Sequence, residues 1–179
     1  VTHVLGDPSA RVTVIEYGDY ECPYCAGAAP VLRELVAGSG GEVNLVFRNF
    51  PLFEVHPHAL TAALAAESTA FSGGEEAFWK MHSKLFLHQA RLSDPDLRLY
   101  AESAGADPEL AAGPAAQQFA PIVQADYSSG IEAGVAATPT LFIDGTGYEG
   151  RVELSALRRA TGLSGSAAAQ RGRRPWQRR

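Results

Sequence analysis

Sulfur is scarce in this chain: 179 residues contain two cysteines and one methionine. Two cysteines cannot build a multi-bridge disulfide scaffold, so the fold has to rest on an apolar core. No uninterrupted apolar run is long enough to cross a membrane as a helix. The chain also lacks a basic surplus, with a formal charge of −5. Five of its fifteen basic residues (Arg171, Arg173, Arg174, Arg178 and Arg179) crowd the last nine positions, leaving ten against twenty acids and a body near −10. Such a body disfavours nucleic acid as a partner. The chain opens on Val1 and its methionine is Met81, so its start reads as processed or truncated, and no signal peptide is visible.

The apolar share of 46% is ample for a core in a chain of one-domain length. The two cysteines stand three apart in Cys22-Pro23-Tyr24-Cys25, directly after the β-branched run Val12 to Tyr17. They open a helical pattern in which Ala28, Val31, Leu32, Leu35 and Val36 share one face. A helix N-terminus offers free N–H groups and a positive dipole end, which favour the Cys22 thiolate over the thiol. One turn brings Cys25 within reach to close a disulfide. The spacing therefore predicts a dithiol redox site with Cys22 as the more exposed nucleophile and Cys25 as the buried resolving thiol. Zinc is the rival, since His56 and His58 would complete four ligands. His56-Pro57-His58 is tighter than the usual spacing, however, and no metal is expected.

Along the chain, strand Val12–Tyr17, helix Pro23–Ala37 and strand Val43–Arg48 form a βαβ unit. A helical stretch follows from His58 to Gly134. Its first piece stops at Gly73-Gly74, and further helices start at Asp94-Pro95 and Asp107-Pro108, each with an Asp N-cap. Another helix is expected over Ala115–Ala133. Thr140–Asp144 then reads as a strand, Gly145-Thr146-Gly147 as a turn, Tyr148–Arg151 as a partner strand, and Leu154–Thr161 as a helix stopped by Gly162. Phe78, Trp79, Met81, Tyr100 and Phe119 read as core of the helical block. His56, His58, His82 and His88 read as surface or satisfied helix histidines with no catalytic role. Asp19, Tyr20 and Glu21 flank the site, where acidity opposes a thiolate.

These features together resemble the bacterial DsbA-like branch of the thioredoxin superfamily. The resemblance rests on the C-x-x-C after the first strand of the βαβ unit, Pro30 at the position of a helix-kinking proline, and Thr138-Pro139 before a strand. Glu16, six residues before Cys22, and Phe78-Trp79-Lys80-Met81-His82 add to it. It implies an α/β thioredoxin fold (βαβ…ββα) with a DsbA-type helical insertion: residues 1–55 and 135–162 as the thioredoxin-like part and 56–134 as the insert. Residues 163–179 fall outside the resemblance and, with no core-forming period, read as a disordered Arg-rich tail. The resemblance implies protein thiol–disulfide exchange through a Cys22–Cys25 disulfide with no other cofactor. Glu16 would be a buried proton relay to Cys25, Pro139 a cis-proline, and Thr138 the residue whose backbone pairs with client chains. A cis X–Pro bond costs only about 0.5–1 kcal/mol over trans.

The resemblance further implies reduced or unfolded client proteins as partners, an electron acceptor such as a membrane DsbB- or VKOR-type oxidase, and a periplasmic or cell-envelope location, with the cytoplasm left open. The dipeptide Pro23-Tyr24 departs from the Pro-His of strong oxidants and points to a milder one. Two alternatives stay open: a disulfide reductase, and a non-enzymatic thioredoxin-like module associated with a membrane transporter, since similar domains occur on sodium/proton antiporters.

Overall fold

A computed structural model describes residues 2–163. Its centre is strand β2 (Val12–Gly18), whose β-branched residues suit a pleated surface covered on both faces. Strand β3 (Val43–Asn49) lies parallel to it, joined through helix α1 (Pro23–Ala37). Helix α1 buries Cys25, Ala28, Leu32 and Leu35, a stripe at helical spacing, and carries Pro30 in its interior. Strand β4 (Thr140–Ile143) runs antiparallel on the other side of β2. Strands β1 (His3–Leu5) and β5 (Thr146–Tyr148) close the edges, so the five-stranded order is β1-β3-β2-β4-β5.

Helices α2 (Ala59–Leu87), α3 (Asp94–Ala104) and α4 (Ala120–Glu132) lie between β3 and β4 in the chain. The break expected at Gly73-Gly74 takes the form of a kink: Gly74 alone leaves helical geometry, at φ 80°, and α2 resumes beyond it. An aromatic cluster seats this block on the sheet. Tyr20 meets Phe47 of β3 and Phe86 of α2 at 5.2 and 4.9 Å between ring centroids, and His82 meets Phe47 at 4.7 Å. Phe78, Trp79, Met81, Tyr100 and Phe119 are all buried. Helix α5 (Leu154–Ala160) covers α1 and ends before Gly162, which takes φ 74°.

Several expectations are corrected. Strand β1 has no local signal, because three residues are too few for a period; what holds it is His3, whose ring stacks on Phe78 at 3.6 Å and bonds Glu67 and Glu75. Those carboxylates outweigh the effect of burial and raise the His3 pKa. Ser93, not Asp94, is the N-cap of α3. Asp107 does cap, accepting from Glu109 N–H, but the element is a single 3₁₀ turn. The helix expected over Ala115–Ala133 is a 3₁₀ segment, Gly113–Phe119, followed by α4. The β4–β5 turn is Asp144-Gly145, both at positive φ as a two-residue hairpin loop requires, which moves the partner strand forward to Thr146–Tyr148. Leu163 is buried, so the core extends one residue into the supposed tail, the remainder of which lies outside the described residues.

Gly130 on α4 marks a close approach. A methyl there would sit 2.6 Å from Cδ2 of Phe50, a buried ring that stacks on Tyr127 and meets Tyr17 edge-on. Gly→Ala in a helix normally gains about 1 kcal/mol. Here overpacking wins, and Gly130→Ala should lower unfolding stability by about 1–3 kcal/mol in urea denaturation.

Candidate active site

Cys22 is the N-cap of α1, with extended backbone at φ −73° and ψ 121°, and Pro23 follows at a position that needs no N–H. The Cys22 N–H donates to Asp19 O at 3.1 Å and its C=O accepts from Ala26 N–H at 3.1 Å, which closes the turn that presents the pair. Both cysteines are free thiols. The contrast in exposure expected between them is small, because Cys22 is 3% and Cys25 0% exposed. The cover over Cys22 is the loop before β4: its Sγ donates to Thr138 O at 3.3 Å, and Thr138–Pro139 is a cis peptide. Of the Cys22–Cys25 segment, Pro23 and Tyr24 face solvent, Tyr24 at 76%.

Below the cysteines lies Glu16. It pairs with Phe47 and Leu141 across the centre of the sheet, so both neighbours remove it from water. It is fully buried, and neither carboxyl oxygen has a hydrogen-bond partner among the described residues. Desolvation pushes its pKa up to about 8, so it holds a proton at neutral pH. Burial also pushes the Cys25 thiol far up, and negative charge on Glu16 raises it further, while Asp19 N–H, 3.5 Å from Cys25 Sγ, works the other way. A thiol and a carboxyl that each resist ionisation thus face a shared proton economy.

The flanking acids are occupied. Asp19 accepts from Glu21 N–H, from Leu52 N–H and from His56 Nδ1, and Glu21 accepts from His58 N–H. His56 is therefore engaged with Asp19, and no group of three or more His, Cys, Asp or Glu side chains among the described residues is arranged to hold a metal ion. His82 is buried, bonded to Tyr20 OH at 3.2 Å, and burial lowers its pKa to about 3. Gln89 carries no sequence signal of a role at the site. Yet from beyond the end of α2 its amide donates to both Tyr20 O and Cys22 O at 2.8 Å.

Comparison with known proteins follows this geometry. A family model described as "Thioredoxin" matches residues 1–161. The chain belongs to the thioredoxin family. Within that family, its fold is close to oxidised BdbD from Bacillus subtilis, with a TM-score of 0.78 and 25% identity over 90% of this chain and 91% of that one. A thioredoxin-like oxidoreductase from Silicibacter pomeroyi superposes with a TM-score of 0.74 and 28% identity, covering 93% of each chain. By sequence, the Na(+)/H(+) antiporter NhaA 1 of Salinispora arenicola is 40% identical over 156 residues, 87% of this chain and 23% of the antiporter. The chain thus spans about a quarter of the length of the curated relatives it matches.

The Glu16 pKa makes a signed prediction. A folded pKa raised from 4.5 to about 8 gives stability that is full below the unfolded value and lost as pH rises through the folded one. Glu16→Gln should therefore gain on wild type by about 1.4 kcal/mol per pH unit across that window, in urea denaturation of the reduced protein. A pH-independent difference would contradict it.

Proposed function

We propose that the protein is a DsbA-like thiol–disulfide oxidoreductase acting on client proteins. The observation that carries this reading is the C-x-x-C at a helix N-terminus, its first sulfur against Thr138 O and its second beside a buried carboxyl with no hydrogen-bond partner among the described residues. Cys22, Cys25 and Glu16 are the residues assigned to the chemistry. Pro23 and Tyr24 shape the loop, and Thr138 and Pro139 receive the client backbone.

In the oxidising direction a client thiolate attacks Cys22 of the Cys22–Cys25 disulfide. The S–S bond breaks and Cys25 leaves as a thiolate in a buried site that disfavours it. Glu16, protonated at neutral pH, supplies the proton. A second client thiolate attacks the client sulfur of the mixed disulfide, and Cys22 departs as a thiolate at the N-terminus of α1. Two electrons pass to this protein, and the client gains one disulfide. Return to the disulfide needs an electron acceptor, for which a membrane oxidase of the DsbB or VKOR type suits an envelope location. The redox group is the cysteine pair itself.

Mild oxidation is the favoured direction. Tyr24 brings no imidazole to stabilise the Cys22 thiolate, and Thr138 O accepts from the thiol form. The antiporter relatives favour a second reading, in which the same dithiol serves as a redox-responsive module of a membrane transporter. Among the described residues no helix is long and apolar enough to cross a membrane.

Replacing Cys25 with Ser leaves Cys22 able to form a mixed disulfide but removes the thiol that resolves it. Cys25→Ser should accumulate covalent client complexes in cells, visible as reducible bands, and Cys22→Ser should not. Trapping by neither variant would contradict action on proteins, and trapping of a single antiporter chain would favour the second reading.

A further inference from the structure

Asp19 is where three parts of the site meet. It follows Gly18 at the end of β2 and is buried. Its main chain touches both cysteines, accepting from Cys22 N–H at 3.1 Å and presenting its own N–H to Cys25 Sγ at 3.5 Å. Its carboxylate reaches the opposite way: Oδ1 accepts from Glu21 N–H at 2.7 Å, while Oδ2 accepts from Leu52 N–H and His56 Nδ1, both at 2.8 Å. Since a carboxylate only accepts, Nδ1 of His56 carries a proton. Leu52 and His56 belong to the loop after β3, which is pinned a second time where Glu21 accepts from His58 N–H at 2.7 Å.

We propose that the Asp19–His56 pair positions the resolving thiol, holding the Asp19 N–H on Cys25 Sγ by clamping the active-site turn to the loop after β3. The assignment rests on the dithiol-exchange reading above. An N–H···S contact at 3.5 Å weakens steeply with displacement, and it strengthens when the sulfur is a thiolate. In the attacking state Cys25 must be a thiolate, which burial and Glu16 oppose and the Asp19 N–H favours. Losing the His56 donor removes the side-chain tie between His56 and the turn and leaves a buried carboxylate oxygen with one partner fewer. Direct action of the Asp19 charge would have the opposite sign, because a carboxylate near a thiolate opposes it and its neutralisation would speed attack.

Reduced full-length protein mixed with oxidised glutathione separates these cases. The Cys22 thiolate attacks the glutathione disulfide, releasing one glutathione thiolate and forming a mixed disulfide. The Cys25 thiolate then attacks the Cys22 sulfur, closing the Cys22–Cys25 bond and releasing the second glutathione. The protein dithiol is oxidised and one glutathione disulfide becomes two thiols. Acid quenching and mass spectrometry give the lifetime of the mixed disulfide, measured where circular dichroism shows each variant folded.

His56→Ala should lengthen that lifetime about tenfold, the worth of one charge-assisted hydrogen bond, and His56→Asn, whose Nδ2 can replace Nδ1 as donor, should return it to within about twofold of wild type. Asp19→Asn, near-isosteric and presenting a donor where an acceptor is needed, should also lengthen it, and keeps the test open should His56→Ala fail to fold. A lifetime unchanged in His56→Ala, one not restored in His56→Asn, or one unchanged or shortened in Asp19→Asn overturns the proposal. Wild-type protein that forms no mixed disulfide at Cys22 overturns the exchange reading, and this assignment with it.

Discussion

A carboxyl group buried at the centre of the sheet, with no hydrogen-bond partner among the described residues, is the constraint around which this molecule is arranged. Glu16 sits in the middle strand, between β3 and β4, where water is excluded on both sides. An ionised carboxylate there is costly, so the group keeps its proton to a pH far above the ordinary carboxylate range. That cost is tolerated beside a large apolar cluster that takes in Val14, Leu45, Leu32 and Phe78. In the exchange reaction proposed above, Glu16 would serve as proton donor and acceptor to the buried Cys25 sulfur.

The remaining elements serve that placement. Helix α1 starts directly after its N-cap Cys22 because Pro23 suits a first helical position, and its buried stripe draws Cys25 inward over β2. The loop before β4 covers Cys22 through Thr138 O, and Gln89 and Asp19 hold the turn from two other sides. The segment between β3 and β4 is thus more than cover for the sheet, since Gln89, just beyond α2, bonds the backbone of the turn itself. The acids beside the site, expected to burden the thiolate, accept from backbone donors, Asp19 from Glu21 N–H in the turn and Leu52 N–H in the loop after β3, and Glu21 from His58 N–H in that loop.

Much of this was legible in the chain because the relevant signals are local. The run Val12–Tyr17, the apolar stripe after Cys22 and the Pro/Gly punctuation each announce an element within a few residues of its observed bounds. The environment of Glu16 could not be settled by strand alternation, since a central strand buries both faces. It took the resemblance to single the residue out. Strand β1 was missed because its stability comes from His3 meeting Glu67 and Glu75, more than sixty residues away. The parts played by Asp19, His56 and Gln89 were hidden for the same reason: hydrogen bonds spanning 37 and 67 residues leave no periodicity to read. The hairpin turn was misplaced by one local choice, since Asp144 can take positive φ and so starts the turn before Gly145.

The central claim is that Glu16 stores a proton for the buried sulfur, and its own ionisation is the most direct measure of it. Carbon-13 NMR of the Glu16 side-chain carboxyl in the reduced protein should show a titration midpoint near pH 8, shifted to lower pH when Asn is placed at Leu141 to offer a hydrogen-bond donor beside it. A midpoint near 4.5, the ordinary value for a glutamate, would show a solvated carboxylate under the dithiol and contradict the account.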